Sequence, residues 1–186
     1  AKSGTVVFHD VINLKHAKKA EAAGVDAIIG VSSGAGGHAG QISPYALIPY
    51  LKENLNVPVI AAGCISTGQQ IAASLALGAE LAYMGTRFIT STECQAEAEY
   101  KQMVVDAVPE DLVYTDEVSG THANFFKKTV PTHKDFDAGI AGDTGKRWKS
   151  IWSAGQGSAL IHEVKPVEEI VEDLVREYHD TVARLS

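Results

Sequence analysis

An α/β fold on a parallel sheet is predicted by three features of this sequence. Short apolar runs of strand length, at residues 25–31, 57–62 and 81–84, alternate with segments of helical composition; the links between them are short; and each run leads straight into a glycine-bearing turn. Strands that are apolar on both faces belong to parallel sheets covered by helices, so the residues alone allow a doubly wound layer or a (β/α)8 barrel.

Residues 5–9 (TVVFH) are β-branched and aromatic and read as the first strand. Asn13 is placed to cap a helix running to about Ala23, which Gly24 ends. After the second strand, 25–31, four glycines fall within seven residues (Gly34, Gly36, Gly37, Gly40) with His38 among them. Residues 45–54 then suit a helix that has Pro44 at its start. The third strand, 57–62, tolerates Pro58 near its first residue and leads into the turn Gly63 to Gly68. A helix rich in alanine and leucine follows over 69–77, closed by Gly78, and strand 81–84 precedes Gly85-Thr86-Arg87-Phe88. Beyond it, 97–108 reads as a helix, 110–150 as an irregular polar stretch (lid, substrate-side excursion or plain surface loop), 152–157 as a second small-residue loop, and 167–185 as a helix with Glu168, Glu169, Glu172 and Asp173 toward its start. The predicted organisation is a strand–helix region over 1–108, an irregular excursion and active-site-side loop over 109–160, and a C-terminal helix over 161–186.

The chain has 186 residues, 45% hydrophobic and 21% charged, enough to bury a sizeable core. Its formal charge of −7 weighs against a nucleic-acid partner, and the pair Lys127-Lys128 reads as a solvated surface. No run of about 18 apolar residues predicts a membrane span, and residues 1–5 show no apolar signal core. Cys64 and Cys94 have neither metal-ligand spacing nor a disulfide pattern, so a reducing cytoplasm is the expected setting. The histidines show no H-E-x-x-H spacing, and no metal is expected.

Glycine tolerates positive φ and lets main chain approach a ligand, so a glycine cluster directly after an apolar strand reads as a contact loop. His38 is the side chain there that titrates near neutrality. It has three readings: a general base for an acidic C–H, a hydrogen-bond partner of a cofactor, or a surface residue of an ordinary turn. The turns at Gly63 to Gly68 and at Gly85-Thr86 end consecutive strands, and main-chain N–H groups at such turns and at helix N-termini attract phosphate. In a barrel all three turns would lie at the carboxyl ends of strands, the functional face. Cys64 reads as an inert small hydrophobe, Trp152 as a packing residue, and Arg87 as either an anion partner or a cap for local carbonyls.

The stretches Ala35-Gly36-Gly37-His38-Ala39-Gly40, Pro58-Val59-Ile60-Ala61-Ala62-Gly63, Ala72-Ala73-Ser74-Leu75-Ala76-Leu77-Gly78-Ala79 and Met84-Gly85-Thr86-Arg87-Phe88 together resemble the FMN-dependent nitronate monooxygenase (2-nitropropane dioxygenase) family. The resemblance runs from about Thr5 to Cys94 and returns at 152–157; FMN-dependent enoyl-acyl-carrier-protein reductases and NADH:quinone reductases look alike over the same blocks. It implies a (β/α)8 barrel with FMN at the carboxyl ends of the strands. Gly36 and Gly37 would line the flavin, Ala62, Gly63 and Cys64 would meet its phosphate through main-chain donors, Met84, Gly85 and Thr86 would complete the cradle, and His38 would be the catalytic base. The implied reaction is oxidation of alkyl nitronates, and of nitroalkanes once deprotonated, with O2 to carbonyl compounds and nitrite. An NAD(P)H-dependent FMN reductase of quinones or enoyl thioesters and a non-catalytic barrel fragment that binds phosphate or a partner stay open as alternatives.

Two departures from the family pattern stand out. Cys64 occupies a position that is usually a second glycine, and Thr67 one that is usually aspartate. The strands found match the family's fifth to eighth, and a complete barrel needs about 250 residues. The sequence is therefore expected to hold the C-terminal half of a barrel plus an extension, completed by the rest of a longer protein, a separate chain or a homo-oligomer. Four strands alone would leave two open edges and an uncovered apolar face.

Overall fold

Asn13 opens the first helix as its position suggests: its side chain accepts a hydrogen bond from His16 N at 2.9 Å, and α1 (Leu14–Ala22) runs until Gly24 adopts φ +87°. Similar local chemistry repeats along the chain in this computed structural model, which describes residues 4–131 and 150–186. Pro44 starts α2 (Pro44–Asn54); Thr67 caps α3 (Gly68–Ala76) by accepting from Gln70 N, and Gly78 leaves that helix at φ +101°.

Between these helices lie β1 (Phe8–Val11), β2 (Ala27–Val31), β4 (Val59–Ala62) and β5 (Leu81–Tyr83), paired in the order β1-β2-β4-β5 with every pairing parallel. The result is an open run of βα units, the partial barrel that the resemblance implies. It has two edges, β1 and β5.

β1 begins at Phe8 and not at Thr5. Before Phe8 the Asp26 carboxylate accepts from Val7 N at 2.8 Å, so a side chain stands where a strand ladder would continue, and Val6 and Val7 are exposed on the open edge. The expected uncovered apolar face is also corrected. Ala27, Ile29, Ile60 and Ala62 on the inner face of β2 and β4 pack on one another and are buried, while the opposite face packs on α1 and α2 through Ile28, Val59, Ala61, Leu47, Ile48 and Leu51. Exposure is concentrated at the edges: Phe8 is 51% exposed, Leu81 55% and Tyr83 57%.

The expected irregular stretch after residue 109 contains regular structure among its described residues. A short helix α4 (Thr86–Ile89) stands where a plain turn was expected, followed by α5 (Ala98–Asp106). Strands β6 (Leu112–Thr115) and β7 (Ala123–Phe126) then form an antiparallel hairpin, and β7 pairs with β3 (Gly37–His38) inside the glycine loop. Each of these runs is only four residues long, and β7 takes its second partner from a segment about ninety residues earlier, which periodicity cannot register. The remainder of the stretch, residues 132–149, lies outside the described residues.

The C-terminal helix α6 (Val167–Leu185) has the predicted bounds, buries Ile170 and Leu174, and packs on α3 where Gly68 meets Leu174, Glu177 and Tyr178. Among the described residues no helix is long and apolar enough to cross a membrane.

Candidate functional site

The carboxyl ends of β1, β2, β4 and β5 open onto one cleft of about 320 Å³. Gly36, His38, Ala62, Gly63, Cys64, Met84, Gly85 and Thr86 all line it, and Gly37 does not. Parallel pairing puts successive strand ends side by side, so turns separated in sequence share one rim. A third wall comes from Ser153, Gly155 and Gly157.

That third wall is stitched to the other two. Gly155 N donates to Thr86 Oγ1 at 3.0 Å, and Gln156 N donates to Gly34 O at 2.8 Å. The contact is close enough to demand glycine: a Cβ on Gly36 would stand 2.7 Å from Gly155 N and 2.9 Å from Ala154 C. Trp152, just before this wall, stacks on Tyr100 with ring centroids 5.0 Å apart and serves packing, as its residue type suggests.

The glycine loop is clasped by the hairpin. Buried Asn124 donates through Nδ2 to Ala35 O at 2.8 Å, Tyr114 Oη donates to Ala39 O at 2.8 Å, and His38 Nε2 lies 3.2 Å from Ser119 Oγ. None of Ser119, Tyr114 or Asn124 was visible as a site residue from sequence, because each belongs to the stretch read as irregular. Asp10 was also missed; it lines the cleft at the end of β1, and its place at the carboxyl end of a strand was the available signal.

Cys64 is, among the described residues, the non-glycine residue with positive φ, at 57°. Burial pushes its thiol above the ordinary range, against an opposing influence from the main-chain N–H groups of Gly157 and Gln156. A protonated buried thiol is a poor nucleophile, in keeping with the inert role expected for it.

Arg87 and Gly68 lie outside the cleft. Arg87 is buried in a second, smaller cavity with Glu163, Asp173 and Glu177, where Nη1 donates to Thr90 Oγ1 at 2.6 Å. Burial lowers its pKa, and the three carboxylates oppose that shift. Gly68 N is taken by Glu177 Oε2 at 2.8 Å. No lysine or arginine lines the main cleft among the described residues; an anion there would meet main-chain donors.

Residues 1–136 match the family model described as nitronate monooxygenase. The chain belongs to the nitronate monooxygenase family. It is 32% identical to a nitronate monooxygenase of Paraburkholderia phytofirmans, over 99% of this chain and 57% of that protein. Among solved structures it is similar to FabK from Thermotoga maritima (TM-score 0.85, 34% identity, 99% of this chain and 64% of that one). It is also similar to nitroalkane oxidase from Streptomyces ansochromogenes (TM-score 0.82, 27% identity, 98% of this chain and 60% of that one). The chain therefore spans roughly three fifths of the length of these relatives. The family's usual glycine at the position of Cys64 has a physical reason here, since the backbone is left-handed at that residue.

Proposed function

We propose that the cleft holds FMN and that the whole protein is an FMN-dependent nitronate monooxygenase, acting on alkyl nitronates and nitroalkanes with O2 in the cytoplasm. One observation carries this reading: turns from three parallel strands and the imidazole of His38 converge on one cleft, whose walls are main chain and small side chains. The donor set suits a phosphate monoester. A Cβ added to Gly85 would meet no atom within 4 Å, so the turn after β5 opens onto free space beside Gly63 and Cys64.

When bound, FMN supplies the electron acceptor for substrate oxidation. The chain's own residues do the rest. Main-chain N–H groups at Gly63, Cys64, Gly85 and Thr86 hold the phosphate, and Gly36 gives close passage to the ring system. Gly37 lies behind this wall as part of the β3 pairing that sets the loop. His38 accepts the α-proton of a neutral nitroalkane, and O2 completes the conversion to a carbonyl compound and nitrite. The exposed edges at Phe8 and Leu81 take further parallel strands, from the remainder of a longer polypeptide or from a partner chain, and so complete the barrel.

The test is to incubate full-length, FMN-loaded protein with a nitroalkane and follow oxygen consumption and nitrite. A second reading, an NAD(P)H-dependent FMN reductase of quinones or enoyl thioesters, is favoured by the likeness to FabK. Steady oxidation of NAD(P)H without nitrite release selects it.

A further inference from the structure

The inner face of the sheet carries a carboxylate at its rim. Asp10 pairs in register with Ile29, and Ile29 with Ile60, so the three share the inner face. Val11, one residue on, turns to the helix side and is buried there with Ile28 and Ala61. Asp10 therefore points into the space that the strand ends enclose. It lines the cleft and is exposed, and among the described residues its carboxylate has no hydrogen-bond or ion-pair partner.

The row of strand ends gives the cleft two distinct ends. In the order β1-β2-β4-β5, the turns at Gly63 and Gly85 follow β4 and β5, the loop with Gly36 and His38 follows β2, and Asp10 stands near the end of β1. Two to three strand spacings, roughly 10–14 Å, separate Asp10 from the phosphate turns, whereas the loop that carries His38 leaves the neighbouring strand. Among the described residues no lysine or arginine lines the cleft to neutralise the carboxylate.

We propose that Asp10 is a specificity-determining residue, which selects substrates by the charge at the end of the alkyl chain: nitroalkanes ending in an ammonium group are favoured and those ending in a carboxylate are rejected. The inference rests on the reading of this cleft as the FMN and nitroalkane site. Loss of the α-proton leaves negative charge on the nitro group, so Asp10 repels that end of the substrate and faces the alkyl end. A carboxylate only accepts hydrogen bonds. An ammonium group there gains a partner, and a second carboxylate meets a like charge.

The test uses full-length, FMN-loaded protein and three nitroalkanes of similar length: uncharged nitropentane, cationic nitrobutylamine and anionic nitrobutanoate. At low salt the wild type is expected to prefer nitrobutylamine over nitrobutanoate by about 10-fold or more in kcat/KM, with the difference carried by KM. Most of that preference should vanish in 1 M salt, where the screening length falls to about 3 Å. In Asp10→Asn, which keeps the size of the side chain and removes its charge, the preference is expected to shrink to within about 3-fold. Calorimetric titration with unreactive pentylammonium and pentanoate reads the same selection without turnover. Equal handling of the two charged substrates by the wild type, or a preference that Asp10→Asn leaves in place, would overturn the proposal. Failure of the underlying reading looks different: nitropentane would then release no nitrite, whatever the calorimetry shows.

Discussion

The N–H of Gly68 donates to Glu177 Oε2 at 2.8 Å, so the first turn of α3 is capped by the C-terminal helix and takes no part in the cleft. Two helices more than a hundred residues apart in sequence are locked at this point, with Gly68 as the close contact. A Cβ there would stand 2.2 Å from Leu174 O and 2.4 Å from Tyr178 N, both main-chain atoms of α6.

Gly68→Ala is therefore expected to force α6 off α3 and to destabilise the protein by about 1–3 kcal/mol or more, read as a lower urea midpoint. Glu177→Ala removes a cap and is expected to cost about 0.5–2 kcal/mol. FMN affinity should be unchanged in Glu177→Ala, because Gly68 is outside the cleft; a large loss of flavin would place the α3 N-terminus in the phosphate site.

Cys64 holds a left-handed backbone that disfavours a β-branched side chain. Cys64→Val is expected to lose about 1–3 kcal/mol in denaturant melts. Cys64→Gly should stay within about 1 kcal/mol of the wild type, as relief of backbone strain offsets lost packing and a more flexible unfolded chain. The raised thiol pKa gives a further expectation: alkylation of Cys64 near neutral pH should be slower than that of a small free thiol and should accelerate only as pH rises beyond the ordinary cysteine range.

Gly36 and Gly155 touch where two walls of the cleft meet. Gly36→Ala should displace the 153–157 segment, break the Gly155 to Thr86 hydrogen bond and weaken FMN retention, while the helices keep their far-ultraviolet signal. Retention of FMN at wild-type affinity would separate that segment from the cofactor site.

Much of this arrangement was legible in the sequence because it rests on local chemistry. Asn13, Gly24 and Gly78 mark helix ends through their own side-chain or backbone properties, and the apolar runs mark strands that parallel pairing then places in register. The glycine turns at strand ends predicted the cleft for the same reason. The hairpin was missed because β6 and β7 are stabilised by each other and by the distant loop at Gly37, and no spacing within 110–126 announces that partner. Asn124 and Ser119 inherit that invisibility. Gly68 was read as a cleft donor because its turn has the right form, and only the packing of α6 shows that its N–H is occupied.

His38→Asn keeps a polar ring-sized group but cannot accept a proton at the working pH. Turnover of neutral nitroalkanes is expected to fall by about 10²–10⁴-fold, the usual contribution of a general base, while preformed nitronates lose far less. Equal losses on both substrates would assign His38 to binding.

The most direct measurement is FMN binding by Gly85→Val in the full-length protein, followed by flavin fluorescence with circular dichroism as the folding control. Gly85 has φ −120° and open space around its missing side chain, so valine fits the fold yet projects into the cleft. The phosphate site proposed here predicts a wild-type spectrum, lost FMN uptake and no nitrite from nitroalkanes. Wild-type FMN affinity in this variant would contradict it.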